Sequence, residues 1–534
     1  MEEGRRGGRE HGTGRVAAVC SGGGEEIEIE AAGASPSGQR GGLDDNGVQV
    51  PGWKRFLAHV GPGFVISIAY LDPSNLQTDL LAGSSHRYSL LWVLLFGFIF
   101  VLIVQSLAAN LGIITGRHLA ELCMGEYPKY VKYSLWLLAE LGVIAATIPG
   151  VLGTALAYNM LLHIPFWAGV LVCGASTILI LGLQSCGARK LEFIVSVLML
   201  VMATCFFIEL SKVNPPVGGV IEGLFIPRPK GEYSTSDMVA MFGSLIVPHN
   251  LFLHSSLVLT RIMPDTPKGR KDTSTFFLLE NALALFIALL INVAIVSVSG
   301  TVCAKNLSSA DTSTCSSLTL NSTSVLLKNI LGKSSSTVYG LALLASGQSC
   351  TVATSYAGQY IMQGFSGMRK CIIYLVAPCF TLLPSLIICS IGGTLHVHGV
   401  INIAAIILSV VLPFALIPLI KFNSSCTNIG PYKNSTSIIR IAWILSLVII
   451  GINIYFFCTS FVNWLVHSDL PRAVNAVIST LVFPFMAAYI AGLIYLAFRK
   501  VNISTPFPTS SVSCEIEVQH MQIQEKNEEL GVHL

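Results

Sequence analysis

Charge is what this chain has least of. Only 11% of its 534 residues are Asp, Glu, Lys or Arg, and the net charge is +3. So slight a positive balance excludes the dense basic surface that nucleic acids require, and no nucleic-acid partner is expected. Enzymatic signatures are missing too. There is no H-E-x-x-H, and Gly332-Lys333-Ser334 is not a phosphate-binding loop, because Leu327 stands where the first Gly belongs. Neither an enzyme nor a resident cofactor is expected. The 14 Cys show no C-x-x-C or Cys/His zinc spacing and fall mostly in apolar runs, where a thiol is a small apolar filler. Residues 1–50 are Gly-rich and charged and lack the apolar core of a cleavable signal, so the first apolar segment is expected to direct its own insertion.

What is abundant is apolar sequence. Hydrophobic residues make up 52% of the chain and its mean hydropathy is +0.68, outside the range of ordinary soluble domains. Twelve segments are long enough to cross a bilayer core, which takes about 20 helical residues. They lie near 57–83, 88–115, 133–159, 165–186, 191–211, 237–260, 276–302, 338–364, 371–393, 399–420, 437–462 and 473–498. Long apolar runs with few loops favour helices over a β-barrel, so the fold class is all-α and polytopic. Three parts follow: a disordered tail at 1–50, one membrane domain at 51–501, and a disordered tail at 502–534. An even number of spans puts both termini on one side. Lys and Arg are more frequent in loops on that side, among them Arg117, Lys129, Lys132, Arg189 and Lys268. The positive-inside rule makes that side cytoplasmic, in the plasma membrane or an endomembrane.

Two tetrapeptides interrupt these runs: Asp72-Pro73-Ser74-Asn75 and Val247-Pro248-His249-Asn250. Proline removes a backbone donor and clashes with the preceding turn, so both helices should break there. They are spans one and six, 175 residues apart measured from Asp72 to Val247. Five spans per half, an odd number, forces the second half into inverted topology, with spans eleven and twelve as additions. Paired breaks of this kind mark the central site of inverted-repeat transporters.

Asp72 is an ionisable group near mid-membrane, and it needs a cation, water or partner. With Asn75 and the carbonyls freed around Pro73 it offers several oxygen ligands, and the stretch Ser244 to Val247 can add carbonyls from the other half. An all-oxygen set suits hard cations such as Mg²⁺, Mn²⁺ or Ca²⁺. The bland reading of Asp72 is a helix N-cap, which is compatible with ligation. His249 and His254 flank the second break and are either packing residues or part of a polar pathway; Glu140, Glu209 and Glu280 read as structural hydrogen-bond partners. Cys303 and Cys315 bracket the loop 303–337, where a disulfide is open. That loop carries glycosylation sequons at Asn306 and Asn321, whereas those at Asn423, Asn434 and Asn502 fall on the other side.

The stretch from Gly61 to Asn75, Ala120-Glu121-Leu122-Cys123, Gly187 to Phe193, Pro248 to His254, and Gly347 to Phe365 together resemble the Nramp (natural resistance-associated macrophage protein) divalent-metal transporters, in their plant branch. The resemblance covers roughly 52–500. It implies a LeuT-like fold of two inverted five-helix repeats, with helices one and six broken, and alternating access of a metal ion. By position it implies metal ligands at Asp72 and Asn75, and at Ser244 and Val247, where the family places an Ala carbonyl and a Met thioether. The family's acidic D-D-I-P-E stretch is Ala146-Thr147-Ile148-Pro149-Gly150 here, and its ninth-span Arg falls on Pro378. Family members without the Met include plant aluminium transporters and related magnesium transporters, which this chain resembles most. Losing the soft sulfur favours hard cations, and losing the carboxylates weakens proton coupling. Two alternatives stand beside this reading: a transport-incompetent sensor or scaffold, and a proton-coupled Mn/Fe carrier. The expected partners are a metal cation and the lipid bilayer; the oligomeric state is open.

Overall fold

The computed structural model describes residues 52–183, 187–227, 234–261, 267–304, 309–316, 318–367, 370–392, 397–425, 435–467 and 472–501. The two tails, and the sequons at Asn306, Asn434 and Asn502, lie outside the described residues. Among the described residues every regular element is helical. The first span is split into α2 (Pro62–Ser67), a 3₁₀ turn (Ile68–Tyr70) and α3 (Pro73–His86), preceded by α1 (Gly52–His59). There follow α4 (Leu91–Thr115), α5 (Leu119–Glu126), α6 (Lys129–Leu162), α7 (Phe166–Gly182), α8 (Ala188–Val213) and α9 (Val217–Phe225). The sixth span is split into α10 (Ser234–Leu245) and α11 (Pro248–Leu257). Then come α12 (Pro267–Val302), α13 (Ser309–Ser316), α14 (Leu320–Leu331), α15 (Lys333–Ser366), α16 (Lys370–Gly392), α17 (Val397–Ser424), α18 (Thr436–His467) and α19 (Arg472–Phe498).

Among the described residues all twelve apolar segments are thus built of helices, and eight of the helical stretches are long and apolar enough to cross a membrane. The exceptions are informative. The first span is cut short by its own break, α7 and the apolar part of α19 are short, and α15 is too polar. Gln348, Ser349, Thr351, Thr354, Ser355 and Gln359 of α15 are nonetheless buried. A helix with that many polar groups can sit at membrane depth only when other helices surround it and satisfy them. Accordingly α15 packs on α6, α8, α11 and α16. The apolar side chains left exposed, such as Phe96, Leu179, Leu200, Phe286, Ile387 and Leu447, lie on the outer helices, as a lipid-facing surface requires.

The tightest seam joins α6 to α15. A Cβ on Gly347 would lie 2.6 Å from the Thr154 amide nitrogen and 2.7 Å from the Gly150 carbonyl oxygen; one on Gly150 would lie 3.1 Å from the Gly347 carbonyl oxygen. Small residues let the two backbones touch. Helices also outrun their apolar limits: α6 begins at Lys129, α12 at Pro267 and α15 at Lys333. Asn423 lies at the end of α17 and is fully buried, its amide donating to the Leu107 carbonyl at 3.1 Å. Cys303 and Cys315 are joined as a disulfide, with Cα atoms 5.9 Å apart, and Asn321 is exposed on α14.

Candidate metal-transport site

Each break is built by a proline at the first position of its second half-helix. Pro73 opens α3, and Asp72 before it is extended (ψ 163°) and caps the helix, its Oδ1 accepting the Asn75 N–H at 2.7 Å. Pro248 opens α11 after Val247, also extended (φ −107°, ψ 119°) but with no side-chain cap. Proline fits there because the first-turn N–H has no helical partner anyway.

The unwound segment of the first span frees several carbonyls, and side chains from four helices take them up. Asn250 Nδ2 of α11 donates to Ile66 O at 3.2 Å, and Asn75 Nδ2 donates to Ala69 O at 3.1 Å. Asn292 Nδ2 of α12 donates to Tyr70 O at 3.0 Å, and Ser346 Oγ of α15 donates to Leu71 O at 2.6 Å. Buried backbone groups left unpaired would each cost on the order of 1–3 kcal/mol, so these amides and hydroxyl are what let the break exist. None of the three outside donors, Asn250, Asn292 or Ser346, was singled out as a site residue from sequence. The available signal was a lone amide or hydroxyl within an apolar run.

Asp72, Asn75 and Val247 are 5%, 2% and 4% exposed. After its amide is used, Asn75 keeps a buried Oδ1 with no partner, a carbonyl oxygen free to bind a cation. Ser244, in the last turn of α10, is half-buried; its Oγ donates to Met241 O at 2.9 Å and lies 3.3 Å from Thr78 Oγ1 of α3. The four positions named from sequence therefore flank the two breaks. The breaks themselves are tied by Asn250–Ile66 and Thr78–Ser244. Among the described residues no group of three or more His, Cys, Asp and Glu converges on one point. Asp72 is the one acid among the four candidate ligands, so the remainder of any shell here comes from neutral donors.

The two histidines part company. His254 Nδ1 pairs with Gln105 Oε1 at 3.0 Å, and Gln105 Nε2 donates to Tyr70 Oη at 2.6 Å, a chain running from α11 through α4 to the first break. His249 is equally buried, but neither ring nitrogen has a hydrogen-bond partner. Each of the three glutamates has a partner within the bundle. Glu209 pairs with Lys212 at 3.4 Å, and Glu140 accepts from Trp136 Nε1 at 3.2 Å. Glu280 of α12 accepts the N–H groups of both Gly61 (2.6 Å) and Gly63 (2.9 Å), which pins the start of α2. Beside it Arg261 pairs with Glu192 at 2.5 Å and donates to Val60 O at 3.0 Å.

At the remaining departures, Ala146, Thr147 and Gly150 are fully buried in the α6–α15 seam, and Thr147 Oγ1 donates to Thr354 Oγ1 at 2.9 Å. A carboxylate at residue 150 has no room there, since a single Cβ already meets Thr351 Cγ2 at 2.9 Å and Gly347 O at 3.1 Å.

The fold is that of a polytopic helical membrane protein with two broken helices packed against each other. Residues 63–459 match the family profile described as natural resistance-associated macrophage protein-like, and the chain belongs to the Nramp family. It is 89% identical over 500 residues to metal transporter Nramp4 of Oryza sativa subsp. japonica, covering 94% of this chain and 91% of that one. It is 51% identical over 461 residues to metal transporter NRAT1 of the same plant, covering 86% and 85%. Among solved structures it resembles the manganese transporter of Eremococcus coleocola in complex with an aromatic bis-isothiourea compound. The TM-score is 0.74 at 25% identity, over 84% of this chain and 96% of that one. The fold is LeuT-like and helical, and the chain is a metal-ion transporter rather than an enzyme.

Proposed function

We propose that the chain moves a hard divalent or trivalent cation by alternating access, toward the cytosol from the side away from its termini, with weak or absent proton coupling. The reading rests chiefly on Val247. An isopropyl group at the second break leaves Asp72, Asn75 Oδ1 and the Ser244 oxygens as donors, and oxygen-only shells favour Mg²⁺, Mn²⁺ or Al³⁺ over soft ions. Support for weak coupling comes from residues 146–150 of the α6–α15 seam, which carry no charge and leave no room for a side chain at Gly150, and from Pro378 inside α16. Both termini are assigned to the cytoplasm from the loop charges.

A specific observation favours a second reading, a proton-coupled carrier. Glu140 is buried in the same helix as the lost acids, and its Oε2 has no hydrogen-bond partner. Flux into proteoliposomes separates the two. Uptake of Mn²⁺, Mg²⁺, Cd²⁺ and Al³⁺ is measured with internal pH recorded. Hard cations entering without acidification are the expected result, and Val247→Met should raise Cd²⁺ uptake relative to Mn²⁺ about tenfold, the equivalent of about 1.4 kcal/mol. Acidification that tracks uptake and disappears in Glu140→Gln establishes the second reading. No flux from folded protein leaves a sensor or scaffold.

A further inference from the structure

A cavity of about 280 Å³ lies at the far end of α11, where α4 turns into α5 and α15 approaches α16. Its wall includes His118, Glu121, Ser256, Gln359, Tyr360 and Gln363. Arg117 lies in the same turn, so this is the end of the bundle that the loop charges assign to the cytoplasm. Ser256 stands eight residues beyond Pro248, about 12 Å along the helix. About two turns of α11 therefore separate the cavity from the second break.

Two groups in this wall lack partners. His118 and Gln359 are each 4% exposed, and neither ring nitrogen of His118 nor Gln359 Oε1 has a hydrogen-bond partner. Buried polar atoms are nearly always paired, and each one left bare costs about 1–3 kcal/mol. His118 precedes α5 as its cap residue, and its backbone N–H donates to Glu121 Oε2 at 3.2 Å. The imidazole is seated on α15: a Cβ on Gly364 would collide with His118 Cε1, and the Tyr360 ring stands edge-on, with centroids 6.4 Å apart.

The donor set suits a cation. Glu121 Oε1 lies 3.3 Å from His118 Nε2, the separation of neighbouring ligands on one ion when each bond is about 2.0–2.3 Å. Gln359 Oε1 adds a neutral oxygen, and no Lys or Arg is among the described lining residues. An imidazole nitrogen beside carboxylate and carboxamide oxygens favours divalent transition metals over Mg²⁺. The space left has room for several waters to complete a shell. The Glu121 side chain is 38% exposed against 5% for His118, which makes the carboxylate the way in.

We propose that His118, Glu121 and Gln359 form a second metal site, on the cytoplasmic face, for a divalent transition cation such as Mn²⁺ or Zn²⁺. None of the three is a candidate ligand at the breaks, so the site stands apart from the transport reading. An ion bound there ties α5, the short helix between the second and third spans, to α15.

The test is Mn²⁺ binding, followed by electron paramagnetic resonance of the free ion, to the full-length protein in nanodiscs of neutral lipid. Thermal unfolding of each variant is recorded alongside. The wild type is expected to bind two Mn²⁺ per chain and Asp72→Asn one. His118→Asn, which keeps a good helix cap, also binds one, and the double variant binds none. Gln359→Leu weakens the second site about tenfold. Zn²⁺ displaces Mn²⁺ from it at least about tenfold more readily than Mg²⁺ does. Two Mn²⁺ bound by His118→Asn, or a single wild-type ion that Asp72→Asn loses, overturns the second site and leaves the transport reading intact. Equal displacement by Mg²⁺ and Zn²⁺ overturns ligation by the imidazole, and the assignment with it. Two ions on Asp72→Asn with one on His118→Asn keeps the second site and removes the central one. Should His118→Asn fail to fold, Glu121→Gln, which still offers an acceptor to the His118 N–H, carries the same decision.

Discussion

Asp72→Asn is expected to lower metal uptake by at least a hundredfold while leaving the protein folded. The substitution is chosen because Asp72 has two separable roles. Its Oδ1 caps α3 by accepting the Asn75 N–H at 2.7 Å, and an Asn side chain caps a helix about as well as Asp. The charge is another matter. Asp72 is 5% exposed and has no Lys, Arg or His ion-pair partner among the described contacts. A buried carboxylate without a counter-charge is costly at membrane depth, and an arriving cation supplies what it lacks. Asn offers the same oxygen without the charge, so the capping bond survives and the electrostatic attraction does not. A hundredfold loss corresponds to about 2.8 kcal/mol, a modest demand on one desolvated charge pair. Uptake and thermal unfolding measured on the same preparation decide the matter. Unchanged uptake with unchanged melting would reduce Asp72 to a helix cap.

The breaks were legible because proline acts locally: Pro73 and Pro248 set their own φ and remove their own donors, whatever the rest of the chain does. Asp72 as a cap was legible for the same reason, since N-capping spans only three residues. The groups that make the breaks tolerable were not. Asn292 reaches Tyr70 across 222 residues of sequence and Ser346 reaches Leu71 across 275, and no local pattern links such positions. The span limits were legible only as apolar limits. Hydropathy marks where lipid begins, while the α-helix of α6 or α12 continues into polar sequence because its backbone bonds are internal. Glu280 was read as a structural partner from sequence. What it holds, the start of α2, emerged only when α12 was placed against the first span. His249 and His254 looked alike in sequence and differ in space, because five residues on a helix turn them to different faces.

Glu280→Ala is expected to free the N-terminal half of the first span. The Glu280 carboxylate takes two backbone N–H groups, from Gly61 and Gly63, where α2 begins and has no intrahelical acceptors to offer them. Hydrogen bonds to a charged acceptor contribute about 1.5–3 kcal/mol each, and an alanine leaves both donors buried and unpaired. The rest of the clasp cannot take over. Arg261 is committed to Glu192 and to Val60 O, and Gly61 sits at φ 141°, where a Cβ would lie 2.1 Å from Glu192 Oε2. That backbone conformation is open to glycine and strained for other residues, so the clasp depends on both the carboxylate and the missing side chain. In hydrogen exchange of the full-length protein in nanodiscs, the segment 56–64 of Glu280→Ala should exchange ten to a hundred times faster, from the loss of about 1.4–2.8 kcal/mol of local protection. Glu280→Gln keeps an acceptor oxygen and should fall between, while segments of α18, remote from the clasp in sequence, should not change. Equal exchange in wild type and Glu280→Ala would mean that α2 is held by its packing on α8, α11 and α12 and by the Asn250–Ile66 hydrogen bond. Faster exchange confined to 56–64 would identify Glu280 as the group that fixes this half-helix against the bundle, leaving α3 and its site undisturbed.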